Sequence, residues 1–166
     1  EVEAWSQVDI EVFISHDDLA MTKGPIFRPD WFREHIFPHY PQIWKPLKDK
    51  GIKVIFCSDG NYGPLIDDIA AAGADGFIIE PSVDLQTVVG KYGGRKAIIG
   101  NVDTKVLTFE GEKEIEAEVR RCVSTAGHHP GFFINAVGGI PHNIPLKNVE
   151  AYFAACRKYR SRKVTT

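Results

Sequence analysis

Residues 52–60 read Ile52-Lys53-Val54-Ile55-Phe56-Cys57-Ser58-Asp59-Gly60, a β-branched apolar run that ends in a thiol, a hydroxyl and a carboxylate. The run is too short for a helix and Gly51 precedes it, so it reads as a buried strand. A helical pattern follows over 64–72, with Pro64 suited to a first turn and Gly73 to a stop. Strand, polar end, helix is one βα unit. The same grammar recurs at Ile14-Ser15-His16-Asp17-Asp18, Ile79-Glu80-Pro81, Gly100-Asn101-Val102-Asp103 and Ile134-Asn135.

Working outward, strands are expected over 8–15, 52–57, 76–80, 96–100 and 132–136. Helices are expected over 31–50, 64–72, 83–92, 112–126 and 146–158. The first must be broken or kinked by Pro38, Pro41 and Pro46. The helix over 112–126 carries Ile115, Val119, Cys122 and Val123 on one face, and that over 146–158 carries Val149, Tyr152, Phe153 and Cys156. Alternating strands and helices argue an α/β fold with parallel strands. In such folds the strand carboxyl ends share one face, where loops converge and ligands bind.

No G-x-G-x-x-G turn follows any strand, and Gly138-Gly139-Ile140-Pro141 is no phosphate cradle, so a (β/α)8 TIM barrel is preferred to a dinucleotide-binding sheet. Such a barrel has eight units and about 250 residues. Glu1-Val2-Glu3-Ala4-Trp5 reads as the tail of a helix feeding the first strand. These 166 residues are therefore expected to supply the last five units of one barrel domain, with the N-terminal units absent.

The chain is 43% apolar and 25% charged, ordinary for a globular protein. A formal charge of −2 gives no electrostatic case for nucleic acid or membrane, and the basic run over 157–163 reads as a solvated helix end. No stretch of 18 apolar residues and no signal peptide is seen, from which a cytoplasmic location is expected. Three cysteines do not make a disulfide framework, and Cys122 and Cys156 sit on apolar helix faces.

Cys57 stands at a strand end two residues before Asp59, as either a small rim residue or a soft metal ligand. A zinc site that activates a substrate needs about three protein ligands and an open position. Cys57, Asp59 and Glu80 could furnish one, with His16 in reserve. Glu80 is the favoured charged pocket residue, because a carboxylate ending a buried strand needs a partner. Asp17 and Asp18 read as substrate hydrogen-bonders, a general acid or caps, and His16 as a proton carrier with an ordinary pKa of about 6.5. Asn101, Asp103 and Asn135 are placed with the substrate-binding group, although Asn101 and Asp103 also fit caps. The connection over 24–31 carries Phe27, Arg28 and Trp31 and could be a lid, with Arg28 meeting a carboxylate or phosphate; Asp30 fits an N-cap. His128-His129 reads as a surface loop at a strand entrance.

The ordered series Asp17-Asp18-Leu19, Gly24-Pro25-Ile26-Phe27-Arg28-Pro29-Asp30-Trp31-Phe32, Phe37-Pro38-His39-Tyr40, Cys57-Ser58-Asp59-Gly60-Asn61, Gly73-Ala74-Asp75-Gly76, Gly100-Asn101-Val102-Asp103 and Gly139-Ile140-Pro141 resembles the uroporphyrinogen decarboxylase superfamily. The resemblance covers nearly the whole chain and implies a (β/α)8 barrel. It implies less about activity, because that superfamily holds haem-pathway decarboxylases and corrinoid-linked methyltransferases alike. In the methyltransferase branch, a His-x-Cys pair and a distant Cys hold zinc; the matching positions here are Cys57, Asp59 and Val137. The decarboxylase branch carries a His-Gly near its last strand, where this chain has Ala136-Val137-Gly138-Gly139 and no histidine before His142.

The first expectation is thus a methyltransferase moving a methyl group between cobalamin on a partner corrinoid protein and a small donor or acceptor, with zinc at Cys57, Asp59 and Glu80 and with Asp59, Glu80 and His16 as catalytic groups. The alternatives are a decarboxylase acting, without cofactor, on the acetate side chains of a porphyrinogen, and a non-catalytic tetrapyrrole-binding protein. A homodimer is compatible with each.

Overall fold

The computed structural model describes residues 2–160, so positions 161–163 of the basic run lie outside the described residues. The chain divides into two compact units, Glu1–Ile78 and Ile79–Thr166. The first holds α1 Val2–Trp5, β1 Val12–His16, the small strands β2 Ala20–Met21 and β3 Gly24–Pro25, α2 Pro29–His35, a 3-10 turn Phe37–His39 and α3 Tyr40–Lys48. It continues through β4 Lys53–Cys57, a 3-10 turn Gly63–Leu65 and α4 Ile66–Ala71 into β5 Gly76–Ile79. β1 runs parallel to β4 with His16 opposite Cys57, and β4 runs parallel to β5 with Cys57 opposite Ile78. The expected parallel α/β grammar is therefore present.

The expected helix over 31–50 is cut where the prolines demand. Pro38 lies in the 3-10 turn, Pro41 in the first turn of α3, and only Pro46 remains inside a helix. Tyr40, Trp44 and Leu47 form the buried stripe of α3 at the i, i+4, i+7 spacing. Tyr40 and Trp44 stack with ring centroids 4.8 Å apart, and Phe56 of β4 packs against both. Fully burying one such side chain contributes about 1.5–3 kcal/mol, which fixes α3 over the strands.

The second unit holds α5 Leu85–Tyr92, β6 Ala97–Val102, α6 Thr104–Phe109, α7 Glu112–Ala126, β7 Phe132–Ala136 and α8 Leu146–Tyr159. β6 and β7 are parallel, with Asn101 opposite Asn135. α7 buries Ile115, Val119, Cys122 and Ala126, so the apolar stripe closes on Ala126 rather than Val123. α8 departs further from expectation: Asn148, Tyr152 and Ala155 are buried, whereas Phe153 is exposed. Among the described residues no helix is long and apolar enough to cross a membrane.

Candidate functional site

In the first unit the chemistry gathers where β1 and β4 end. Side chains alternate along β1, so His16 shares a face with exposed Val12 and Ile14 while Ser15 points the other way, accepting from Trp44 Nε1 at 3.0 Å. Asp17 extends the pairing by one residue, its N–H donating to the Cys57 carbonyl at 3.1 Å. Its carboxylate accepts from the Tyr40 hydroxyl at 2.9 Å. Burial and then the Asp17 charge push the Tyr40 phenol well above its ordinary range, so it stays a donor.

Asp18 turns toward the second loop. Its Oδ1 accepts from the Asp59 N–H at 3.2 Å and lies 3.0 Å from His16 Nε2. Buried Ser58 stitches the two loops, accepting from the Leu19 N–H at 3.0 Å and donating to the Asp59 carbonyl at 2.9 Å. Gly60 completes the turn at φ +74°, where a Cβ would stand 2.6 Å from the Met21 carbonyl carbon. Only glycine allows this approach to β2.

His16, Asp18 and Asp59 consequently each offer one ligand atom, all within 4.8 Å of one another, on exposed side chains. This group keeps Asp59 from the set Cys57, Asp59 and Glu80, and joins it to the reserve His16 and to Asp18. Cys57 ends β4 half-buried and is not in the group. An imidazole nitrogen with two carboxylates is a donor set suited to a borderline or hard divalent ion with open positions. On the helix side of the strand end, Asp17, Leu19, Ile36, His39, Tyr40 and Ile43 line a cleft of about 350 Å³ that none of His16, Asp18 and Asp59 borders. Arg28 is exposed in the N-cap position of α2, and Asp30 lies in the first turn paired with Arg33 at 2.8 Å, so Asp30 is not the cap.

The second unit places Glu80 one residue past β5, half-buried. Asn101 is 1% exposed and its amide is engaged within the protein: Nδ2 donates to the Val83 carbonyl at 3.1 Å, and Oδ1 accepts from Arg121 Nη2 at 3.1 Å. Asp103 caps α6 through the Lys105 N–H at 2.8 Å, while its own N–H donates to Glu118 Oε1 at 2.9 Å. Asn135 is half-buried in β7. Burial pushes the Glu118 carboxyl up, but Arg121 and the Asp103 N–H outweigh it and hold it below the ordinary range. Glu118, Arg121, Ser58 and Tyr40 escaped the sequence reading of the site. An i, i+3 Glu–Arg pair on a helix looks like solvated charge, and a lone serine carries no spacing signal.

The pattern of the uroporphyrinogen decarboxylase (URO-D) family matches residues 7–159. The uroporphyrinogen decarboxylase of Paraburkholderia phytofirmans is 34% identical over 152 residues, covering 89% of this chain and 41% of that one. Its counterpart from Pelobacter propionicus is 30% identical over 141 residues, covering 85% and 41%. The chain thus spans about two fifths of the length of these relatives. A solved methyltransferase from Methanosarcina mazei matches with a TM-score of 0.72 at 22% identity, covering 96% of this chain and 45% of that chain, which establishes a shared α/β fold. With the family pattern running across almost all of its length, the chain belongs to the uroporphyrinogen decarboxylase family.

Proposed function

We propose that the whole protein is an enzyme that moves a methyl group between a cobalamin, carried by a partner corrinoid protein, and a small donor or acceptor. The observation that supports this reading is the His16, Asp18 and Asp59 group, whose ligand atoms lie within 4.8 Å of one another beyond the ends of parallel strands. A divalent ion held there, zinc in the first instance, would supply Lewis-acid polarisation of a bound thiol or alcohol. The chain's own part is to hold those ligands: the Asp59 N–H fixes Asp18, and Ser58 fixes the loop that presents Asp59. Cys57 is proposed to border the acceptor, and in the second unit Glu80 and Asp103 are proposed to handle substrate charge.

The test follows the visible spectrum of methylcobalamin with the whole protein and candidate acceptors, a thiol and then a folate. Protein-dependent loss of the methyl–cobalt band is expected, slowed about 100-fold or more by Asp59→Ala and His16→Ala. An unchanged spectrum with every acceptor would sink the proposal. The second reading, decarboxylation of porphyrinogen acetate groups, is favoured by the name that the curated relatives carry. Release of carbon dioxide from the acetate side chains of a porphyrinogen, leaving methyl groups, in the same protein and without methyl transfer, would establish it instead.

A further inference from the structure

The Glu118–Arg121 pair of α7 does more than decorate a helix surface. Arg121 meets Glu118 through a fork, Nε to Oε2 at 2.8 Å and Nη2 to Oε1 at 2.7 Å. The same Nη2 donates to both the carbonyl and Oδ1 of Asn101, each at 3.1 Å. Asn101 Nδ2 then reaches the carbonyls of Val83 at 3.1 Å and Glu80 at 3.5 Å. Glu118 Oε1 meanwhile accepts from the Asp103 N–H. A continuous chain of bonds therefore runs from one helix to the segment that follows β5, residues 80–84, and to the end of β6 where α6 begins, residues 101–104. Each segment carries a carboxylate proposed to handle substrate. Gly100 belongs to the same junction: at φ +145° a Cβ there would collide with the Ile79 carbonyl oxygen, so the two strand ends lie backbone against backbone.

We infer that Arg121 and Glu118 are positioning residues that set the Glu80 and Asp103 loops in their working geometry; the kinetic part of this inference rests on the reading that Glu80 serves the reaction. Arg121 is the residue for this task because one planar group serves a carboxylate and an amide–carbonyl pair at once. Lysine at this position keeps the charge and loses the fork.

The first arm of the test is independent of activity. Amide hydrogen exchange in residues 80–84 and 101–105 of the whole protein is expected to quicken about 10-fold in Arg121→Lys, with the interior of α7 unchanged. Unchanged exchange in both loops would overturn the inference. In the kinetic arm, Arg121→Lys is expected to lower kcat about 10- to 100-fold with little change in KM, because small misplacements of a reacting group are costly. In a Glu80→Gln background the same substitution should cost several-fold less, since the part that works through Glu80 is already lost and only the Asp103 side remains to be displaced. Equal losses in both backgrounds would show a merely structural role and overturn the inference. If Glu80→Gln alone leaves kcat intact, the assignment of Glu80 fails while the exchange arm still decides whether the loops are held.

Discussion

The amide of Asn148, 4% exposed, donates to the Leu107 carbonyl at 2.8 Å and to the Glu110 carbonyl at 3.0 Å. It satisfies two acceptors at the C-terminal end of α6, Leu107 in its last turn and the C-cap residue Glu110, where helix carbonyls run out of N–H partners. Asn148→Leu would fill the space and leave both carbonyls unpaired. A loss of about 1–3 kcal/mol is expected, read as a lower urea midpoint at unchanged slope. Asn148→Asp should be worse, because a carboxylate would face two carbonyl oxygens. A result in which Leu is tolerated without loss would mean that water already serves those carbonyls. The same economy holds at Asn101, a residue that a sequence presents as a candidate for substrate and that the protein uses to tie its own loops.

At the scale of elements, the βα units were legible because short β-branched runs and glycine stops leave few alternatives. The span of α7 was read to the residue, and Pro38 and Pro41 mark where the helix expected over 31–50 breaks into α2, a 3-10 turn and α3, whereas Pro46 stays inside α3. The Asp103 cap was among the alternatives and is present. The paired strands β2 and β3 were not legible, because two residues apiece give no alternation to read. α8 was read to within one residue, with Tyr152 on its buried face, but the rest of that face was misread for a physical reason: a buried asparagine with two carbonyl partners counts as polar in any periodicity, while exposed Phe153 counts as core. The candidate site was partly legible, since Asp59 and His16 were both named, but their union with Asp18 depends on the Ser58 and Gly60 turn. That turn makes a prediction. Gly60→Ala would place a methyl group 2.6 Å from Met21 at a positive φ, so a cost of about 1–2 kcal/mol or more is expected. A fall in Tm of several degrees should accompany it, together with loss of any divalent-ion affinity of the His16 group. An unshifted Tm would show that β2 yields easily and that the turn is not held there.

For the whole molecule, the shifted titrations define the pH range over which the fold holds. On the acid side, burial pushes Asp75 up, but Lys48 and the Val54 N–H outweigh it and hold it below its ordinary value. Glu118 is held down by Arg121 in the same way against its own burial. A carboxyl depressed in the folded state contributes stability that is complete above its unfolded pKa of about 4 and is lost as pH falls through the folded value. On the alkaline side, burial raises the Cys122 thiol from 9.0 to about 11, and burial likewise raises the Tyr152 and Tyr40 phenols. A group raised in the folded state has the opposite sign: its contribution is complete below the unfolded pKa and vanishes as pH climbs through the folded one. For Cys122 that window runs from about 9 to about 11 and corresponds to on the order of 3 kcal/mol. The urea midpoint is therefore expected to be highest between about pH 7 and 8, to decline first below about pH 6.5, where His129, held down by burial and then by His128, binds its proton less readily than in the unfolded chain, to fall further below about pH 4, and to fall again above about pH 9. Cys122→Ala separates the contributions. It costs some packing at every pH, but the decline that begins above about pH 9 should become shallower, leaving Cys156, whose thiol burial also raises, and the tyrosines to act. If the variant and the parent lose stability in parallel over that interval, the Cys122 thiol ionises freely in the folded protein. Its place on the buried stripe of α7, against Asn101 and Arg121, would then have to open before the rest of the fold does.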